Sequence, residues 1–572
     1  MKRTLPLFLL ITLTGIARAQ NIDLAHMDKL FGKGNPLKIN GGISASGIYY
    51  SGNDGSGRAP FTWFINGNLN VNILGQVNLP FSFNLTNTGS GYAYPALPNR
   101  LSLHPSYKWV TGHIGDVTMS FSPYTLNGHL FTGVGVDLTP EGPFKFSAMY
   151  GRLQRAVQLD SLTQPNPPAY ERMGYGAKLT WQQKAVRLGV IVFGAKDDVN
   201  SLRVKPDSLQ ILPQQNLVIS WIGSVKPTKG MELSAEYATS ALTRDIRDST
   251  PHKDEAGNYI QYLMNSRNST SYYKAVKLQL NYTFLKNVVG VGYERVDPGY
   301  QTLGAYYFNN DLENITVNIA RPLFHGKANI AGNIGIQRDN LDDSKSGTNH
   351  RLVSSLNLSF NPTRRLSTNL TYSNFQTYMY MKPQFAYINQ VTQYQNLDTL
   401  NYTQVSQNAN FNVNYIVSSS KRRNQSINLN LSFQDAYDQQ GGVVAEGNSS
   451  LFYNLSLSYN LLFVPQSISL TTAFNGTYNT IGRNDYTTLG PTLALNARLL
   501  KKKMVAGFTT SYNTSTGTGA AQSNVLNFRW NLAYTLTKKQ HLGLNMVQQY
   551  RTITGQEGTH SIVATMAYGY SF

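Results

Sequence analysis

The sequence predicts an all-β fold: a single transmembrane up-and-down antiparallel β-barrel of about 26 strands, with short periplasmic turns and long extracellular loops. Three observations predict it. Apolar residues recur at every second position, the connections between those runs alternate short and long, and charge is scarce. Only 14% of residues are charged, whereas Tyr (36) and Phe (25) are abundant and cysteine is absent. A soluble chain of 572 residues would normally divide into several domains with charged surfaces.

The N-terminus sets the compartment. Lys2 and Arg3 precede an apolar stretch, Leu5 to Ile16, that is too short to span a bilayer, and Ala17-Arg18-Ala19 supplies a small-residue cleavage site. Residues 1–19 read as a signal peptide, 20–36 as a short periplasmic segment and 37–572 as the barrel. No second apolar run approaches the length of a membrane helix.

Strand periodicity is clearest at Ser426 to Gln434. Ile427, Leu429, Leu431 and Phe433 share one face, and Asn428, Asn430 and Ser432 lie on the other. Leu451 to Leu461 and Leu356 to Phe360 repeat the pattern. A soluble β-sandwich also alternates, but its outward face is normally charged and its strands are short. Here the polar face is neutral Asn, Ser, Thr and Gln, which suits a wet lumen behind a lipid-facing surface.

Tight links fall at Gly75-Gln76, Thr111-Gly112, Pro140 to Gly142, Gln182 to Lys184, Pro227 to Gly230 and Leu285 to Asn287. They continue at His325 to Lys327, Pro362 to Arg365, Ser420 to Arg423, Pro465-Gln466, Lys501 to Lys503 and Thr537 to Lys539. Longer links alternate with them. Both termini then lie on the periplasmic side of an outer membrane, and Gly and Pro interrupt the strand pattern between Arg100 and Asp137. A barrel of about 26 strands has a backbone diameter of roughly 50 Å, wide enough to leak. Arg244 to Thr270 and Met379 to Asn401 are long enough to fold inward and narrow it.

The formal charge of +19 usually suggests nucleic acid, but for an exported chain phosphate-bearing lipid or an acidic periplasmic protein is the better partner. The cations gather on the short turns: Lys184, Lys229, Lys286, Lys327, Arg364, Arg365, Lys421, Arg422, Arg423, Lys501, Lys502, Lys503, Lys538 and Lys539. They are expected to form a basic periplasmic rim. The C-terminal run ending in Tyr568, Tyr570 and Phe572 resembles the terminal strand read by the barrel assembly machinery. The nine histidines are scattered, and neither an HExxH nor a nucleophile-elbow motif occurs. No catalytic residue, metal site or cofactor is expected.

Four loop segments read Asp, then Ser or Thr: Asp160-Ser161-Leu162, Asp207-Ser208-Leu209, Asp248-Ser249-Thr250 and Asp398-Thr399-Leu400. They resemble the O-glycosylation sequence of Bacteroidota, which makes Ser161, Ser208, Ser249 and Thr399 candidate acceptors; turn chemistry alone also favours Asp-Ser. With the signal peptide ending before Gln20, the Asn- and Tyr-rich strands and the terminal Tyr568 to Phe572, the chain resembles the large outer-membrane barrels of Bacteroidota. It departs from TonB-dependent transporters, because only Gln20 to Pro36 precedes the first strand and a plug domain does not fit there.

The function expected is a pore or transport channel for hydrophilic solutes or exported material. The alternative is a structural or secretion-apparatus barrel filled by a partner subunit, and a barrel hydrolase is the remote third reading. Outer-membrane lipid and lipopolysaccharide are the expected surroundings.

Overall fold

The computed structural model describes residues 37–572 except 56, 88–98, 159–167, 204–210, 249–259, 261–262, 307, 345–347, 349, 375–404, 437–438, 441–442, 445–448 and 519. The signal-peptide and N-terminal-segment assignments therefore lie outside the described residues. So do Met379 to Asn401.

A sheet of 27 hydrogen-bonded segments forms the whole wall. Two of them, Arg100–Leu103 and Ser106–Tyr107, are halves of one strand broken at His104-Pro105, so the barrel has 26 strands. Every pairing is antiparallel and joins sequential neighbours. The exception is the seam, where the first strand, Leu37–Gly52, pairs with the last, Thr559–Ser571, from Gly42↔Ser571 to Gly52↔Ser561. Closure satisfies the backbone groups that an open sheet would expose, a requirement in lipid.

The tight turns read from the sequence, with one exception, lie on one rim, and the longer links lie on the other, which also carries the two-residue turn Gly482-Arg483. The one misplaced turn is Thr111-Gly112. The chain reverses instead at Lys108-Trp109, and Gly112 is inside the strand Val110–Ser120. Its amide donates to the Pro105 carbonyl at 2.7 Å, and a side chain there would meet the proline ring. The glycine admits a close neighbour at the strand break and makes no turn.

The register assigns faces. In Ser450–Phe463 the outward residues include Tyr453, Leu455 and Leu457, and their partners on Ile468–Ile481 include Phe474 and Tyr478. Around the circumference the same parity carries large exposed apolar side chains, among them Leu188, Trp221, Ile315, Ile336, Leu352 and Met566, each more than half exposed. A surface of this kind is far larger than the apolar patches that soluble proteins tolerate. Some outward charges sit near a rim: Arg295, Glu313 and Arg338 pair at the long-link end, above Ile315, Val317 and Ile319.

Candidate functional site: the lumen

The other parity faces inward. From His350–Thr363 round through the seam to Val77–Thr86 it is mostly small and neutral. Asn410, Asn412 and Asn414 stand opposite Ser432, Asn430 and Asn428, which stand opposite Ser456 and Ser458 on the next strand. Neighbouring amides and hydroxyls pair across strands. Asn72 Nδ2 donates to Asn78 Oδ1 at 2.6 Å, Ser456 Oγ to Asn475 Oδ1 at 2.8 Å, and Gln549 Nε2 to Asn527 Oδ1 at 3.0 Å. Such side chains lose little by facing water and can hydrogen-bond to a passing polar solute.

The sector from Val110–Ser120 to Ala328–Arg338 differs. Two links, 121–126 and the described residues of 297–311, fold into the barrel and pack on its inner wall. Their apolar residues Phe121, Leu126 and Leu303 join Val117, Phe131, Met149, Ile191 and Phe193 in one buried cluster. Tyr124 and Tyr300 join Val218, Ala238, Ala275 and Val296 in a second, covered by Phe308. Burying these rings and aliphatic groups drives the links inward.

Hydrogen bonds then fix the position. Tyr124 donates to Glu294 Oε1 at 2.5 Å, and Tyr300 and Thr302 donate to the Tyr124 and Thr125 carbonyls at 2.9 and 2.7 Å. Asn216, only 1% exposed, accepts the Leu303 N–H at 3.1 Å and donates to Ser240 Oγ at 2.8 Å. Tyr306 reaches across to accept the Leu130 N–H at 2.7 Å and packs on the His129 ring. Lys178 donates to the Phe121 carbonyl at 2.6 Å. Burial, and then the adjoining Glu294 carboxylate, raise the Tyr124 phenol above its ordinary range, so it remains a proton donor at neutral pH.

The expectation that Arg244 to Thr270 folds inward is corrected. Ile260 and Met264 of this link bury against Leu217, Ile219 and Ala241, with Val190, Val192 and Tyr272 around them. These wall residues have the outward parity of Trp221 and Leu188, so the described part of the link around Ile260 and Met264 lies on the outside of the barrel beside its long-link rim. The reason is the apolar outer wall itself, which continues above Trp221 and is covered there by the chain. The inward role falls to 121–126 and 297–311. The signal for this in the sequence was the apolar Phe121, Leu126, Tyr300 and Leu303 within links that turn chemistry would make polar.

The basic-rim residues from Lys184 to Lys539 named above all sit in or beside short turns and are exposed. They line a single rim of the barrel. Lys226 joins them, paired with Glu232 at 3.5 Å. Tyr568 and Tyr570 face outward on the closing strand, and Phe572 exchanges backbone hydrogen bonds with Gly41 across the seam. Ser161, Ser208, Ser249 and Thr399 lie outside the described residues.

One polar constellation is assembled only by the fold. His104 Nδ1 and His113 Nδ1 are 2.9 Å apart, and His113 Nε2 is 2.8 Å from Asp137 Oδ2. The strand break at Pro105 brings the two imidazoles together, and spacing along the chain gave no hint of it. Among the described residues no group of three or more His, Asp or Glu side chains forms a metal-ligand set.

No protein-family model matches the chain, and no curated protein matches it in sequence. Among solved structures, a mutant porin of Rh. blastica is similar over 57% of this chain and 99% of its own, at 12% identity and a TM-score of 0.27. The translocation pore of the P pilus usher PapC is similar over 94% and 99%, at 10% identity and a TM-score of 0.34. The fold assignment stands on the strand register of the barrel itself.

Proposed function

We propose that this chain is a pore or transport channel of a Gram-negative outer membrane, passing hydrophilic solutes or exported material. The observation that carries the reading is the closed sheet with an apolar outer face and a neutral amide- and hydroxyl-lined inner face. An inner wall built of Asn, Ser and Thr would be costly in a dry core, where each amide needs several partners, and is natural against water. In this reading the short-turn rim and both termini face the periplasm, and the chain is of the large Bacteroidota barrel type. The inward links 121–126 and 297–311 narrow the lumen from one side and make it selective by size.

The test is single-channel conductance of the purified, refolded barrel in a planar bilayer. A large, steady conductance is the expected result. Silence from a correctly folded barrel would overturn the open-pore reading in favour of a partner-filled scaffold. The exposed basic turns favour that second reading, because they offer an acidic periplasmic protein a ring of contacts.

A further inference from the structure

The inner wall is electrically divided. In the sector that holds the inward links, Asp137, Asp197, Glu232, Glu236 and Glu294 alternate with Lys145, Arg172, Lys178, Arg187 and Lys277, so the signs cancel among the described residues. In the sector from His350–Thr363 through the seam to Val77–Thr86, no described inward position holds a carboxylate. The described inward charges there are Lys38, Arg498, Arg529 and Arg551. Three of these make a rising line. Arg498 is beside the short turn that carries Lys501 to Lys503, Arg529 is in mid-strand, and Arg551 is near the long link.

Amides surround the middle arginine. Asn527 and Asn531 flank it on its own strand, and Asn531 pairs with Asn545 on the next. Asn513, on the strand before, is 4% exposed, yet neither its Oδ1 nor its Nδ2 has a hydrogen-bond partner, and the Asn545 Oδ1 has none either. Buried amides left in this state cost free energy that a ligand with donors and acceptors would recover.

The geometry points to a binding track for an acidic oligosaccharide along this sector, running from the basic rim past Arg498 and Arg529 to Arg551. Guanidinium groups take carboxylate or sulfate oxygens in a two-pronged fashion, and the amides between them take sugar hydroxyls. The absence of inward carboxylates among the described residues of this sector lets a polyanion pass without repulsion, whereas the mixed sector opposite offers it no net attraction. The inference rests on the reading of the lumen as a solvent-filled channel and adds the charge and class of its cargo.

The experiment uses the full mature chain in detergent, titrated with dextran sulfate and with neutral dextran at low ionic strength, alongside reversal potentials in a salt gradient. Dextran sulfate should bind at least roughly ten-fold more tightly than dextran. Arg529→Gln with Arg551→Gln should remove most of that difference, and Arg529→Lys with Arg551→Lys should restore part of it. Replacing Lys501, Lys502 and Lys503 by Gln should weaken binding less than the lumenal pair does. Equal binding of the two dextrans would overturn the track, as would a difference that disappears only with the rim lysines. A barrel that conducts but prefers cations sinks the track and leaves the pore standing. A barrel that is silent but binds dextran sulfate through Arg529 and Arg551 sinks the open pore and leaves the anion site.

Discussion

The two sectors of the wall share one backbone plan and differ in what their inner faces touch. Between Val110 and Arg338 the inner face is a packed core, in which Ile191 and Phe193 of the wall are fully buried together with Leu126 of the 121–126 link. From His350 round to Thr86 the inner face is a polar lattice of amides and hydroxyls one side chain deep. The first is held by dispersion and water exclusion, and the second by strand hydrogen bonds with small additions from amide ladders. The difference teaches that a barrel of this size can be packed on one side by inward links and lined on the other by polar side chains.

The largest expected effect is that of Leu303→Asp. It places an unpaired charge where the side chain is 3% exposed, at a cost of several kcal/mol, and should detach the 297–311 link from the wall. Higher single-channel conductance with the barrel still folded is the expected result, and unchanged conductance would mean that the link does not narrow the path. Phe193→Ala comes next. Truncating this buried ring should cost about 3–5 kcal/mol in urea unfolding from liposomes, while Asn430→Ala in the lattice sector should stay within about 0.5 kcal/mol. Similar losses at the two positions would erase the distinction between the sectors.

Asn216→Ala should cost about 1–3 kcal/mol, because the Leu303 N–H and Ser240 lose their buried partner. Limited proteolysis should then cut within 297–311 faster than in the parent, and an unchanged cutting rate would remove Asn216 from the anchor. The smallest effect belongs to the rim common to both sectors. Leu285 has φ 55° at the tip of a tight turn and is 95% exposed, so Leu285→Gly should relieve roughly 1–2 kcal/mol of backbone strain and raise the unfolding midpoint. A lower midpoint would show that the leucine side chain is held by contacts outside the barrel.

The alternation of faces was legible in the sequence because the inner face of the lattice sector is neutral and the outer face apolar. Ser426 to Gln434 could be assigned residue by residue. The tight turns were legible because Lys, Gly, Asn and Pro concentrate there. At Arg100 to Ser120 the same signals misled, since Gly112 serves the approach of Pro105. The inward links were hidden for another reason. Their anchors, Asn216, Ser240 and Glu294, sit on strands far along the chain, and only the folded sheet brings them to Leu303, Gln301 and Tyr124. The basic turns stand out in the sequence because their cations cluster at short links, whereas the line from Arg498 to Arg551 depends on the register of four adjacent strands, which spacing alone does not supply.

The seam between Leu37–Gly52 and Thr559–Ser571 joins residues separated by almost the whole chain. Bringing such distant ends together costs about 5–6 kcal/mol of chain entropy, and the return comes only when the full zipper from Gly42↔Ser571 to Gly52↔Ser561 has formed. Until the last strand arrives, every partly built wall has two raw edges able to pair with another copy. The order of synthesis therefore becomes a timetable: the polypeptide must be kept apart from its siblings until its final residues are available. A chain cut short before Thr559 would be lost to aggregation, even though all the residues of its inner wall were already made.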